Sequence, residues 1–265
     1  MNLLDFATGK KNVRDYTKTT EWYTLDKALE VANQFDSVQY NIVYSEEKPR
    51  NIHSWDWTQN KMIKVGCSSG KGFGMADDSM SDKHRTNRRK GTTQPKDRLS
   101  DHYVIMRDGP KANQIKKNIG NLAAAWGPVF EKYGWGPKLI RNVWVQFIVP
   151  STNMNFVDSS MYCEFLEVAN ISNHKSNFGG SAPLADLKYQ SETDREMRGL
   201  LKDKAKECQK RITRISNDDD YLDKKTNNNR NFNTFDQDNS VLDELSTKEL
   251  GSNTIDPNYG VYKTL

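Results

Sequence analysis

The sequence has few cysteines, and their arrangement does not suggest cross-linking. Cys67, Cys163 and Cys208 are the only three in 265 residues, they lie far apart, and no two form a CxxC pair. An odd number of widely spaced cysteines is typical of a reducing compartment rather than of a disulfide framework. We therefore expect a cytoplasmic or nuclear protein.

Long apolar runs are also missing. No segment approaches the eighteen or so consecutive apolar residues of a transmembrane helix. Residues 1–11 lack the basic start and the apolar stretch of a signal peptide. We expect neither a membrane span nor secretion, and a hydrophobic content of 35% suffices for one core of ordinary size.

The sequence also lacks a complete catalytic motif. The four histidines share no short metal-ligand spacing with the cysteines or with each other. The glycine-rich segment 66–74 contains Lys71, but no Ser or Thr follows this lysine to hold magnesium. We therefore expect a protein that is not an enzyme and has no metal or other cofactor. Two alternatives stay open: a metal-dependent nuclease around Asp158, Glu164 and a histidine, or a nucleotide site at 66–74.

The charge is unevenly distributed along the chain. The formal net charge of +4 hides fifteen basic against seven acidic residues in 66–150, and five against ten in 217–265. The second of these segments is poor in apolar residues and rich in Asn, Asp, Ser and Thr, so we expect a disordered acidic tail. The chain thus combines a basic body, 1–216, with an acidic tail, 217–265.

Hydrophobic periodicity indicates an α+β fold, a single domain with a mainly antiparallel sheet and about three helices. Alternating or apolar segments predict strands at 37–45, 62–65, 103–107, 142–149 and 161–171. Helical spacing predicts helices after Thr24 or Asp26 as the N-cap, at 112–126, and from 184 or 191 to 216. Residues 67–100 show no periodicity and predict a long flexible loop.

Basic residues are concentrated in this loop and continue beyond it, interleaved with aromatic residues. Arginine and lysine bind phosphates, and bases stack on flat rings, so this pattern favours RNA or single-stranded DNA as the partner. Tyr133 and Trp135, in a Gly-flanked turn, are the best candidates for exposed rings. The candidate nucleic-acid-binding residues are Lys83, Arg85, Arg88, Arg89, Lys90, Lys96, Arg98, Lys111, Lys116, Lys117, Tyr133, Trp135, Lys138 and Arg141. Solvated basic residues and ordinary core aromatics are the alternative interpretation.

Two further features suggest protein partners. The last predicted helix carries a nearly heptad seam formed by Leu201, Ala205, Cys208, Ile212 and Ile215. This seam either docks on the core or associates subunits into a homo-oligomer. At the end of the tail, Tyr262 and Leu265 match a Tyr-x-x-apolar linear motif, and with a short apolar segment at 240–250 they suggest a host adaptor.

The size, the basic body and the acidic tail resemble the organisation of small virus-encoded coat, matrix or movement proteins, and no individual motif carries that resemblance. It implies a nucleic-acid-associated structural or assembly protein, which could be associated with a virion. In a matrix protein the same basic surface would bind an anionic membrane instead. The tail is expected to compete with phosphates for the basic surface.

Overall fold

The computed structural model describes residues 2–35, 37–49, 62–68, 95–116, 119–150, 154 and 156–216. They form an α+β fold with an antiparallel sheet, as predicted. The sheet has five strands, and the described helices outnumber the three expected. The strands are β1 (Thr17–Thr19), β2 (Tyr23–Thr24), β3 (Val38–Tyr44), β4 (Met62–Ser68) and β5 (Val143–Pro150). The helices are α1 (Leu3–Ala7), α2 (Leu25–Val31), α3 (Pro95–Asp108), α4 (Ala112–Ile115), α5 (Gly120–Ala124), α6 (Gly127–Tyr133), α7 (Pro137–Arg141), α8 (Phe156–Asn177) and α9 (Asp194–Ser216).

The sheet has the strand order β1, β5, β3, β4, and β2 pairs with β5 along the same edge as β1. In the central pair, Tyr40 lies opposite Phe147 and Ile42 lies opposite Val145. Strand β4 pairs with the other edge of β3. The chain therefore places its two most apolar strands, β3 and β5, in the middle of the sheet.

Helices cover both faces of the sheet. On one face, α1, α8 and α9 pack on Val43, Val65 and Ile148. On the other face, helices α2 to α7 pack on Tyr40, Val145 and their neighbours. Because successive side chains of a strand point to opposite faces, the two helical layers lie on opposite sides of one sheet.

Local sequence signals explain where several helices begin. The Thr24 hydroxyl accepts a hydrogen bond from the Lys27 amide and caps α2, as its position predicted. Thr193 and Glu196 form a capping box before α9, in which each side chain accepts from the other residue's backbone amide. Proline stands in the first turn of α3, α6 and α7, where its missing amide costs no hydrogen bond.

Three predicted elements were wrong. Residues 103–107 lie within helix α3, and 161–171 lie within helix α8, so neither is a strand. Helix α8 has apolar residues on most of its circumference because it is sandwiched between the sheet and α9, and this hides its helical period. The single helix predicted at 112–126 is interrupted at Lys116, whose backbone is extended, and helix α5 starts only at Gly120.

Other predictions were right in part. The strand predicted at 37–45 is β3, but Gln39 and Asn41 are buried instead of facing solvent, because α8 covers that face. Both ends of the loop predicted at 67–100 are regular structure, since Cys67 and Ser68 belong to β4 and helix α3 begins at Pro95. The central part of the predicted loop, 69–94, and the predicted acidic tail, 217–265, lie outside the described residues.

Candidate nucleic-acid interface

Trp135 is an exposed aromatic side chain held in a fixed position. It lies in the turn between α6 and α7, where Gly134 and Gly136 have φ of 74° and 85°, values that favour glycine. The Gly136 amide donates to the Met106 carbonyl at 2.7 Å and ties this turn to the end of α3. The indole remains 53% exposed, which is large for a tryptophan.

Gly109 forms the seat of this indole. Its φ is +58°, and a Cβ atom built on it would lie 2.6 Å from Cγ of Trp135, so any larger residue would push the ring away. On another side, the ring of Phe130 meets the indole edge-to-face, with the centroids 6.0 Å apart. The indole of Trp135 packs on Gly109 and Phe130 and is otherwise exposed to solvent, so a base could stack on it as on a platform.

Tyr133, the other predicted stacking residue, is already stacked within the chain. Its ring lies parallel to that of Tyr44, with centroids 4.1 Å apart and planes inclined by 10°. The ammonium group of Lys132 lies 5.1 Å from the centroid of the Tyr133 ring. The half-buried Tyr133 therefore stiffens the turn, and Trp135 is the better candidate for contact with a base.

The helical layer around Trp135 carries an excess of positive charge, with nine basic and four acidic residues in 95–141. Lys96, Lys111, Lys116, Lys138 and Arg141 are exposed, and Arg98 is half-buried. Lys132, which belongs to the same basic segment, is also exposed, and sequence reasoning missed one further exposed cation of this layer, Arg107. Arg107 was missed because its segment was predicted to be a strand.

Two of the four acidic residues in this layer are neutralised locally. Asp101 forms an ion pair with Lys116, and Asp108 forms a bidentate pair with Arg107 at 2.7 and 2.9 Å. Asp97 and Glu131 remain exposed. The other described cations of this layer outnumber these two acidic residues. We call the exposed Trp135 together with these cations the Trp135 layer; they are Lys96, Arg98, Lys111, Lys132, Lys138 and Arg141.

The remaining candidates for nucleic-acid binding and the tail motif cannot be placed. Lys83, Arg85, Arg88, Arg89, Lys90, Lys117, Tyr262 and Leu265 lie outside the described residues. Trp126 and Phe130, two further aromatic residues of the basic segment, are buried in the core beneath α3, so they are ordinary core aromatics.

The predicted self-association seam is packed inside the chain. Leu201, Ala205, Cys208 and Ile212 are buried against α8 and α1, and the side chain of Ile215 is not described. Of the two roles considered for this seam, these four residues therefore have the first, which is to dock α9 on the core. They do not offer a free apolar surface to a second subunit.

Residues considered for a nuclease serve other contacts. Glu164 is buried and accepts hydrogen bonds from Lys204 and Arg211, each at 2.9 Å. His102 is fully buried, and its Nε2 lies 2.9 Å from the Tyr40 hydroxyl. Asp158 lies in the first turn of α8. Among the residues that the structure describes, no three side chains of His, Cys, Asp or Glu converge in a way that could hold a metal ion.

The described start of the glycine-rich segment has a packing role. Gly66 lies in β4 under the ring of Tyr40, and a Cβ atom there would come within 2.4 Å of that ring. The neighbouring Cys67 thiol donates to Glu167 at 3.1 Å, and burial raises its pKa well above the usual value. This thiol therefore stays protonated and is a poor nucleophile.

A buried ion pair fixes the edge of the sheet nearby. Asp186 forms an ion pair with Lys64 and accepts from the Val65 amide at 2.9 Å. Burial lowers the pKa of Lys64, but the carboxylates of Asp186 and Glu167 outweigh this effect and raise it, so the lysine stays charged. We assign the ion pair a structural role, because it holds the segment before α9 against β4.

Within the described part of the chain, no helix has the length and apolar character needed to cross a membrane. The chain matches no family model, no curated protein and no solved structure.

Proposed function

We propose that this protein is a non-enzymatic, nucleic-acid-associated structural protein that holds RNA or single-stranded DNA on the Trp135 layer. The observation that carries the proposal is the indole of Trp135, seated on Gly109 and exposed within a surface of excess positive charge. Bases stack on such a ring without regard to sequence, while lysine and arginine follow the phosphates. Assembly along a nucleic acid requires this kind of sequence-tolerant binding.

The Trp135→Ala variant tests the platform. We expect its affinity for fluorescein-labelled oligo(dT) to fall about tenfold to a hundredfold, because base stacking on an aromatic ring contributes about 1–3 kcal/mol. Trp135→Phe should retain most of the affinity. Fluorescence anisotropy at fixed salt measures both.

Ile115→Ala is the matched control, since Ile115 is 60% exposed in the same layer but has no aromatic ring. It should bind like the wild type. Equal affinities for Trp135→Ala and the wild type would exclude the platform. Binding to phosphatidylserine vesicles that exceeds binding to oligo(dT) would favour the membrane alternative instead.

The acidic tail gives a second test of the same surface. With ten acidic and five basic residues, 217–265 should compete with phosphates for the cations of the body. We expect deletion of 217–265 to tighten oligo(dT) binding severalfold at low salt, with the gain vanishing as salt screens the charges. A full-length variant with amides in place of the ten acidic residues separates charge from length. Unchanged affinity in both variants would show that the tail does not compete.

A further inference from the structure

Helix α9 carries a row of cations that the Trp135 layer does not include. Arg195, Arg198, Lys202, Lys206 and Lys210 follow each other at intervals of three or four residues, so they share one side of the helix. All five are exposed. At 1.5 Å per residue the row extends over about 22 Å. We call it the α9 stripe.

The stripe faces outward because the opposite side of α9 is fixed in the core. Met197, Leu201 and Ala205 are buried against α8, and the Leu3 amide of α1 donates to Gln209 at 3.1 Å. A helix held along its whole length in this way presents its other side to solvent in a constant orientation. The packing therefore fixes the backbone positions of the five cations in a line along the helix.

Most cations of the stripe form no ion pair with another side chain of the described residues. The ion pairs with buried Glu164 use Lys204 and Arg211, which lie on a different side of α9. Lys206 lies 3.5 Å from Asp203, and both side chains are largely exposed. Arg195, Arg198, Lys202 and Lys210 have no ion pair among the described residues. They are free to neutralise an external polyanion.

The arrangement favours a strand over a flat surface as the ligand. Acidic residues of α9, Asp203 and Glu207 among them, run along one flank of the stripe and are exposed. An anionic membrane would contact the acidic flank as well as the stripe, and the acidic residues would repel it. A single nucleic-acid strand can follow the cations alone. Since the stripe contains no aromatic residue, it would contact phosphates and carry no base specificity.

The stripe and the Trp135 layer lie on opposite sides of the sheet. Helix α9 belongs to the core that contains Val43 and Val65, whereas α3 to α7 belong to the core that contains Tyr40 and Val145. A short oligonucleotide that occupies one surface therefore cannot reach the other. The two surfaces can hold separate strands.

We infer that one copy of this chain binds two segments of single-stranded nucleic acid at once, one on the Trp135 layer and one on the α9 stripe, and thereby bridges them. This inference rests on the proposed function and adds a second site and a bridging activity. The first site would combine base stacking with charge, and the second would use charge alone. Such a protein would compact or cross-link a nucleic acid as well as coat it.

Energy transfer between two labelled oligonucleotides tests the inference on the full chain. Donor-labelled and acceptor-labelled oligo(dT) are mixed with protein in limiting amount, and light scattering in the same buffer identifies the monomer. We expect energy transfer with the wild type. The variant Arg198→Glu, Lys202→Glu, Lys206→Glu should still bind one oligonucleotide within about twofold of the wild type by anisotropy, but should lose the energy transfer.

The matched control is the triple variant Lys10→Glu, Lys18→Glu, Lys27→Glu. It alters the net charge by the same amount, at three exposed lysines outside both surfaces. It should bridge like the wild type. A milder stripe variant, Arg198→Gln, Lys202→Gln, Lys206→Gln, removes the charge without reversing it. It controls for an effect of charge reversal on folding, and it should also lose the energy transfer. Energy transfer that persists in both stripe variants would overturn the inference, as would binding by the wild type without energy transfer. A wild type that binds no oligo(dT) would overturn the proposed function as well.

Discussion

Replacing Glu164 by glutamine is expected to lower the free energy of unfolding by about 3 kcal/mol. The carboxylate is almost fully buried between α8 and α9, where one of its oxygens accepts from both Lys204 and Arg211. Glutamine preserves the shape but removes the charge, and the two partly buried cations then keep, among the described residues, only the half-exposed Glu207 as a counter-charge. Urea denaturation at neutral pH, followed by circular dichroism, measures the loss.

Glu207 provides the control. It contacts the same two cations, Lys204 at 3.3 Å and Arg211, but its side chain is 46% exposed. Glu207→Gln should cost less than about 1 kcal/mol, because water and salt replace an exposed partner. Losses of equal size in the two variants would contradict a special role for burial at Glu164.

This ion pair also bears on the proposed function. Lys204 and Arg211 hold α9 against α8, and that contact orients the α9 stripe. We therefore expect Glu164→Gln to loosen the stripe, whereas it leaves Trp135 on the other side of the sheet untouched. In the bridging experiment this variant should keep the anisotropy signal and show weaker energy transfer.

Elements with a clear hydrophobic period were predictable from the sequence. Strand β5 alternates Val143, Val145 and Phe147 toward one core and Ile148 toward the other, as the sequence indicates. Helix α2 has a cap at Thr24 and a regular apolar spacing. In both elements a local pattern and the tertiary environment agree, so the pattern is sufficient.

Elements buried on several sides were not predictable in this way. In the sequence, Gln39 and Asn41 have the spacing of a solvent-exposed strand face, yet α8 covers them. Gln39 donates to the Asn41 side chain at 2.8 Å and accepts from Asn170 of α8 at 2.6 Å. These hydrogen bonds compensate for the burial of the polar groups. Nothing in the sequence of β3 reveals the distant partner that makes this possible.

The candidate site was predicted in its chemistry but not in its geometry. Glycines around Trp135 indicated a turn with an exposed ring, whereas the seat provided by Gly109 depends on a contact between segments 26 residues apart. The α9 stripe was visible as a spacing of three and four residues in the sequence. It was not singled out there because the apolar seam is the stronger periodic signal of the same helix.

Two buried histidines should make the fold sensitive to mild acid. Burial, opposed by the hydrogen bond to the Ser181 carbonyl and assisted by the charge of Lys175, lowers the pKa of His174 to about 4. Burial also holds the pKa of His102 well below its usual value. Both imidazoles are thus neutral in the folded state at a pH where they are charged in the unfolded chain.

The sign of the effect follows from proton binding. Between pH 6.5 and 4 the unfolded state binds a proton at His174 that the folded state does not bind, so the free energy of unfolding falls as the pH falls through this range. The shift corresponds to about 3 kcal/mol from His174 alone. Burial raises the pKa of Asp186 to about 6, and this acts in the opposite direction over the same range.

A comparison of two proteins isolates the contribution of His174 from that of Asp186 and the other carboxylates. The variant His174→Asn keeps a donor to the Ser181 carbonyl, which the imidazole Nδ1 contacts at 2.9 Å, but has no group that titrates. Urea denaturation of both proteins at pH 7, 6, 5 and 4 should show a difference in stability that changes by about 3 kcal/mol across this range. A constant difference would mean that His174 titrates alike in the folded and unfolded states, and the buried neutral imidazole would then be excluded.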